Sequence, residues 1–326
     1  MLSFSPIPPR RKPGFRAFTL LELLVSLTIL SLIIVLLLSM ITNASTIWLS
    51  SSAKVDAFQS ARMAFDTLTR KLSQATLNTY IGYDDSSNAT RYLRQSELKF
   101  TIGLSGSGAY PGTPGTGQVF FFVAPASYTL NTSGYCGMES LLNVCGYYVS
   151  FSTNNTVPAH VKANQVYRYR LMQLIVPTEQ NSVYTSSGNA WFTDFVASSY
   201  PAADNIIALF IRPQDPDPAL ASPDLTADYT CDSTLNATAN PQPVTANQLP
   251  PIMQVTMVAI DEAFAKRAEN GSTPPAKITA ALAGKFTVTS EFENDLSKLE
   301  MALQDAKIPY RVFSSAVAIR ESKWTK

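Results

Sequence analysis

The feature that most constrains this chain is one long apolar run, FTLLELLVSLTILSLIIVLLLSMI, which extends from Phe18 to Ile41. The run contains a single charged residue, Glu22. At about 1.5 Å of rise per residue, a helix of this length crosses a hydrocarbon core of roughly 30 Å. The sequence therefore predicts one membrane-spanning helix over residues 18–41.

The residues before the run carry only positive charge. Residues 1–17 contain no acid and four basic residues, Arg10, Arg11, Lys12 and Arg16. Because basic flanks stay on the cytoplasmic side, we expect the N-terminus in the cytoplasm and the rest of the chain across the membrane. A cleaved secretory signal is disfavoured, since its apolar region is usually only about 7–15 residues long. An ordinary signal anchor is the stronger alternative.

Glu22 distinguishes this run from an ordinary anchor. An unpaired carboxylate costs on the order of 2.5–3.5 kcal/mol at the centre of a membrane and less near its interface. We therefore expect a partner that offsets the cost of burying this charge.

The sequence FTLLE at residues 18–22 resembles the leader of type IV prepilins and of type II secretion pseudopilins. The resemblance implies that a prepilin peptidase cuts between Ala17 and Phe18 and methylates the new amine of Phe18. It also implies that Glu22, fifth in the mature chain, pairs with that amine on a neighbouring pilin-like subunit in the bacterial inner membrane. Residues 1–17 are then the leader, and the C-terminal domain is periplasmic.

The position of the cut has one alternative. The family usually has glycine before the cut, and Gly14 followed by Phe15 supplies that pair. A cut there would place Thr19, and not Glu22, in the fifth position. The spacing to the carboxylate favours the cut after Ala17, and the cut after Gly14 stays open.

Helical character continues beyond the apolar run, over residues 42–78. Apolar residues recur there at steps of three and four, which is typical of a helix with one buried stripe. No proline or glycine occurs from Phe18 to Leu77, although a break at Thr42–Ser52, where Ser and Thr cluster, stays possible. We expect the stripe to pack on a sheet; its members are Phe58, Ala61, Phe65, Leu68, Leu72 and Ala75.

Residues 79–326 have the composition of a β-rich domain. Runs of β-branched and aromatic residues separated by turn-rich segments predict strands, at 118–123, 146–151, 166–175, 206–212, 252–260 and 310–319. A short helix is predicted at 261–269, and a capping-box pattern, Ser290 with Glu293, predicts another that ends before Pro309. The predicted fold class is α+β, with a long N-terminal helix on an antiparallel sheet and short C-terminal helices.

One segment of this domain is too long for a hairpin loop. Residues 213–251 are rich in Pro, Asp, Ala and Thr, and either an ordered insertion or a mobile flap would fit them. Their aspartates do not have the spacing of an EF-hand, so a solvated acidic loop is favoured over a Ca²⁺ site.

Four segments sharpen the resemblance: Ser52–Tyr80, Arg94–Phe100, Leu249–Ala263 and Ile308–Trp324. With the leader, they resemble the Verru_Chthon cassette protein C family, and the arrangement is similar to minor pseudopilin J of type II secretion. The resemblance implies an assembly component of a pilus-like or secretion apparatus. The alternative is a single-pass anchored binding protein that does not polymerise.

The sequence shows little catalytic potential. The one histidine, His160, lies in a polar turn region, and G-x-S-x-G, P-loop, H-E-x-x-H and C-x-x-C patterns are absent. We expect no enzyme activity, cofactor, metal or small-molecule substrate. Four of the 25 basic residues lie in the leader, so the rest of the chain has fewer basic residues than its 24 acids, which disfavours nucleic-acid binding.

The chain has three cysteines, too few for a disulfide scaffold. Cys136 and Cys145 are the candidate disulfide pair, because they are close in sequence on what could be a loop or hairpin. Three unpaired thiols, which would include Cys231, are an equal alternative.

Overall fold

The computed structural model describes residues 19–85, 87–135, 137–138, 140–153, 166–217 and 223–324, with backbone alone over residues 50–57. The chain divides into two compact units after Ser52. Helix α1 (Leu20–Leu72) starts in the first unit and ends in the second.

The first unit is the apolar part of α1. Side chains are exposed from Leu20 to Leu49, and this is the one described helix long and apolar enough to cross a membrane. The candidate membrane span by length and composition is Leu20–Leu49, and the membrane boundary at residue 41 stays a prediction. The break considered at Thr42–Ser52 does not occur in the helix. Two hydroxyls there bond back to the helix: Thr42 Oγ1 donates to Ser39 O at 2.9 Å, and Thr46 Oγ1 donates to Asn43 O at 2.8 Å. Neither needs a break in the helix to be satisfied.

The second unit contains eleven strands among the described residues, in three sheets. Every pairing of these strands is antiparallel. The strand orders are β7-β6-β5-β4-β3-β9, β11-β10-β8 and β1-β2. The strands are β1 (Tyr80–Tyr83), β2 (Tyr92–Gln95), β3 (Thr101–Leu104), β4 (Gln118–Pro125), β5 (Leu142–Ser152), β6 (Arg168–Ile175), β7 (Tyr200–Asp204), β8 (Ile206–Gln214), β9 (Cys231–Asp232), β10 (Ile252–Ile260) and β11 (Tyr310–Ala318).

Four further α-helices lie in the described part of this unit: α2 (Ala190–Thr193), α3 (Glu262–Arg267), α4 (Ala276–Leu282) and α5 (Phe292–Asp305). The long helix, antiparallel sheets and short C-terminal helices confirm the predicted α+β, pilin-like arrangement. The predicted strands are all present, and α3 matches the short helix expected at 261–269.

The apolar stripe of α1 is buried in the second unit, as predicted. Leu68 and Leu72 are fully buried, and the Phe65 ring lies 5.9 Å from that of Phe313 on β11, centroid to centroid. Beyond the helix, Thr76 N donates to Val123 O on β4 at 2.8 Å. The stripe therefore covers part of the sheet core, which explains its spacing in the sequence.

Aromatic residues fill the core around β4 and β5. The Phe121 ring stacks on Phe192 of α2 with centroids 3.9 Å apart. Gly146 is paired opposite Phe121, and a Cβ at this glycine would lie 2.1 Å from that ring. Nearly every residue of β4 is buried, because both of its faces are covered.

A close backbone approach joins the two larger sheets. Gly117 forms a parallel bridge with Leu209, and Leu209 N donates to Thr116 O at 3.0 Å. Gly117 has φ of +99°, and a Cβ there would lie 2.1 Å from Leu209 O. Only glycine fits this junction without strain.

The start of α5 differs from the prediction. The helix begins at Phe292 after a short 3₁₀ turn, and its N-cap residue, Glu291, makes no side-chain cap bond. Glu293 forms an ion pair with Arg212 at 3.2 Å. The predicted capping box of Ser290 and Glu293 is therefore wrong, because Glu293 is used in this tertiary contact.

The described part of the long 213–251 segment is an ordered insertion. Tyr229 is fully buried, and its hydroxyl donates to Val288 O at 3.2 Å. Cys231, on β9, pairs with Ile102 on β3. Across the described residues, no group of three or more His, Cys, Asp or Glu side chains could hold a metal ion.

Truncation of the buried stripe tests its role in folding. Leu68→Ala should reduce the free energy of unfolding of the second unit by about 2–5 kcal/mol, because it leaves a cavity in the core. Met63→Ala is the matched control on the same helix, since Met63 is 69% exposed and should change stability by less than about 0.5 kcal/mol. Denaturant unfolding of the full chain in detergent micelles measures both, and equal losses would contradict burial of the stripe.

Candidate functional site

The candidate site is the start of helix α1. Thr19 precedes the first helical residue, and Leu23 N donates to Thr19 O at 3.2 Å. Glu22 N donates to Thr19 Oγ1 at 3.3 Å, and Thr19 N donates to Glu22 Oε2 at 3.2 Å. These reciprocal bonds form a capping box, in which two N–H groups at the helix start gain acceptors.

The capping box fixes the position of the Glu22 carboxylate. Thr19 Oγ1 also donates to Glu22 Oε2, at 3.2 Å, so both bonds from Thr19 to the carboxylate use the same oxygen. No described residue donates to Oε1. The carboxylate lies in the first turn, where the helix dipole favours negative charge.

No described cation forms an ion pair with Glu22. The described salt bridges all lie at residue 62 or beyond. The carboxylate therefore has hydrogen-bond donors within its own chain, but its charge has no counter-ion in the described residues. Within the described residues, neither Oε1 nor the negative charge of Glu22 has a partner, which is compatible with pairing to an amine from another chain.

Glu22 was predicted from the sequence, but its capping box with Thr19 was not. The signal was readable, since Thr19 and Glu22 have the T-x-x-E spacing of this motif at the start of an apolar run. The predicted processing residues Ala17 and Phe18, and the alternative pair Gly14 and Phe15, lie outside the described residues. Both cuts remain predictions.

The cysteine pair also remains a prediction. Cys145 is fully buried on β5 and forms no disulfide with a described residue, while Cys136 lies outside the described residues. Burial raises the pKa of Cys145 to about 11 and that of Cys231 to about 12. Desolvation keeps both thiols protonated, which makes them poor nucleophiles. His160 also lies outside the described part of the chain.

Burial also raises the pKa of tyrosines in the core, again through desolvation. Desolvation raises the pKa of Tyr169 to about 12 and moves that of Tyr147 upward as well. Tyr147 Oη accepts a hydrogen bond of 2.7 Å from Gln173 Nε2, which satisfies the phenol inside the core. Such shifts hold the proton on the hydroxyl, as in structural tyrosines.

Comparison with known families gives a match, and it lies in the N-terminal segment that contains the candidate site. Residues 12–38 match the family model of the prokaryotic N-terminal methylation motif. The matched segment includes both candidate cuts, Glu22 and the first part of α1. It supports a type IV pilin-like protein that is processed by a prepilin peptidase and anchored in the inner membrane by one helix. No curated protein and no solved structure matches the chain.

Proposed function

We propose that this chain is a pseudopilin, a structural subunit that assembles through α1 into a type II secretion or type IV pilus-like apparatus. The match of residues 12–38 to the methylation motif is the observation that carries this proposal. In the proposed maturation, the peptidase cuts between Ala17 and Phe18 and methylates the amine of Phe18. The peptidase and other pilin-like subunits are the partners, and the subunit uses no cofactor.

In the proposed assembly, the ion pair between Glu22 and the Phe18 amine of a neighbouring subunit sets how far one subunit is shifted along the other. Glu22 without a counter-ion costs up to about 2.5–3.5 kcal/mol in the bilayer, depending on its depth. The amine of a neighbouring Phe18 would offset this cost. The capping box supports this role, because it keeps the carboxylate at the helix start and its described donors use Oε2 alone.

The exposed apolar surface of α1 supports assembly as well. Large side chains from Leu20 to Leu49 are exposed in the single chain, so lipid or neighbouring helices must cover them. We propose that the N-terminus is cytoplasmic and the β-rich domain periplasmic. Within pilin-like proteins, the body motifs favour the Verru_Chthon cassette protein C family and a position similar to minor pseudopilin J.

The mass of the mature N-terminus tests the proposed processing. Mass spectrometry of chain purified from membranes should find N-methyl-Phe18 as the first residue. N-methyl-Phe15 would move the cut to Gly14, and an intact Met1 would favour the anchored binding protein. Ala17→Asp should block cleavage, because the acidic side chain replaces the small residue at the cut, whereas Gly14→Asp is the matched control that should not.

A pair of substitutions separates charge from capping at Glu22. Glu22→Gln keeps a residue that completes a capping box but removes the charge. Because the charge is lost, this variant should not co-purify with partner pilins. Thr19→Val removes the capping hydroxyl but keeps the charge, at a local cost of about 1 kcal/mol, and should leave co-purification largely intact. Pull-down from solubilised membranes measures both. Normal assembly of the Gln variant would contradict the pairing role.

A further inference from the structure

A groove of about 600 Å³ lies among α3, α4 and the end of α5. Its apolar lining includes Phe264, which is nearly buried, and the half-buried Pro274 and Pro275. Its rim carries three exposed cations, Arg267, Lys277 and Lys307. We call this feature the α3–α5 groove.

The positive charge of the groove is not compensated within the described structure. No acidic residue lines it, and none of its three cations forms an ion pair with a described carboxylate. Arg267 Nε donates to Ala263 O at 3.1 Å. Lys266, by contrast, lies outside the groove and is paired with Glu262 at 3.2 Å.

Lys307 occupies a backbone position that favours glycine. It follows the end of α5 with φ of +55°. Lys307 N donates to Gln304 O, and Ile308 N donates to Leu303 O, both at 2.9 Å. These bonds form a Schellman motif, whose left-handed residue is usually glycine because a Cβ is strained there. Glycine at residue 307 would therefore make the fold more stable than lysine does.

Two explanations can account for a lysine at this position. Its charge could stabilise the negative end of the α5 dipole, or it could serve the groove that its side chain lines. Strained residues concentrate where the surrounding structure holds them for function. The presence of Arg267 and Lys277 on the same rim favours the second explanation.

The lining indicates which anion would fit. Pro274 and Pro275 have no N–H groups, and the N–H groups of Ala276 and Lys277 beside them begin a helix of only seven residues, so the lining contains no glycine-rich loop of the kind that cradles a compact phosphate. The cations are at the ends of long side chains around an apolar surface. Carboxylates spread along an extended peptide can reach such cations while apolar side chains contact Phe264 and the prolines.

We propose that the α3–α5 groove binds an acidic, partly apolar peptide segment of a partner protein. Its carboxylates pair with Arg267, Lys277 and Lys307, and its apolar side chains lie against Phe264 and Pro275. This site is a second interaction surface, which does not depend on cleavage or on Glu22.

The test uses the full chain in neutral detergent micelles and a short labelled peptide that alternates leucine and glutamate. Fluorescence anisotropy should show saturable binding that weakens with salt. Arg267→Ala and Lys277→Ala should each weaken binding about two- to five-fold, the range for exposed ion pairs. Lys266→Ala is the matched control and should leave binding unchanged.

Lys307→Gly gives two readouts that move in opposite directions. It should weaken peptide binding about two- to five-fold and raise the Tm of the domain by about 2–4 °C, because it removes the backbone strain. Unchanged affinity, or a lower Tm, would assign Lys307 to the helix end and overturn the proposal.

Three further probes, a glutamine peptide, inorganic phosphate and lipid vesicles, identify the class of ligand. The same peptide with glutamine in place of glutamate should not bind, and equal binding would overturn the role of charge. Preferential binding of inorganic phosphate, or of vesicles containing phosphatidylglycerol, through the same cations would overturn the peptide assignment. Because uncleaved and cleaved chains should bind alike, a failed leader test would leave this result unaffected.

Discussion

The structure depends on one helix that meets two different environments. From Leu20 to Leu49, α1 is apolar on all sides and exposed in the single chain, as in helices that face lipid or other helices. From Ala61 to Leu72, it is apolar along one stripe, which is buried in the β-rich unit. Because this stretch contains no proline or glycine, the helix continues from the apolar segment into the buried stripe without a break.

Capping and charge pairing place different demands on Glu22. A capping box accepts glutamine as well as glutamate, so capping by itself does not require a charge in an apolar helix. The charge carries a desolvation cost that capping only partly offsets. Under the proposed function, that cost favours assembly, because the amine of an assembled neighbour offsets it.

Several elements could be predicted from the sequence because their signal is local. The strands β4, β8 and β10 are apolar runs buried on both faces, and the α1 stripe follows helical spacing. The short strands β1, β2, β3, β7 and β9 were missed, because tertiary contacts decide such pairings. Glu22 was identifiable from one unusual charge. The α3–α5 groove was not, because its three cations lie far apart in the sequence and α4 was not predicted.

The left-handed residues show why Lys307 differs from its counterparts. Several other described non-glycine residues with positive φ are asparagines, which tolerate this conformation. Tyr229 and Phe286 also adopt it, but both are buried, and the Phe286 ring stacks on Phe210 at 3.9 Å. Packing can offset their strain. Ser127 and Lys307 are both exposed, but of these two only Lys307 lines the α3–α5 groove, where a ligand would supply the stabilisation that packing does not.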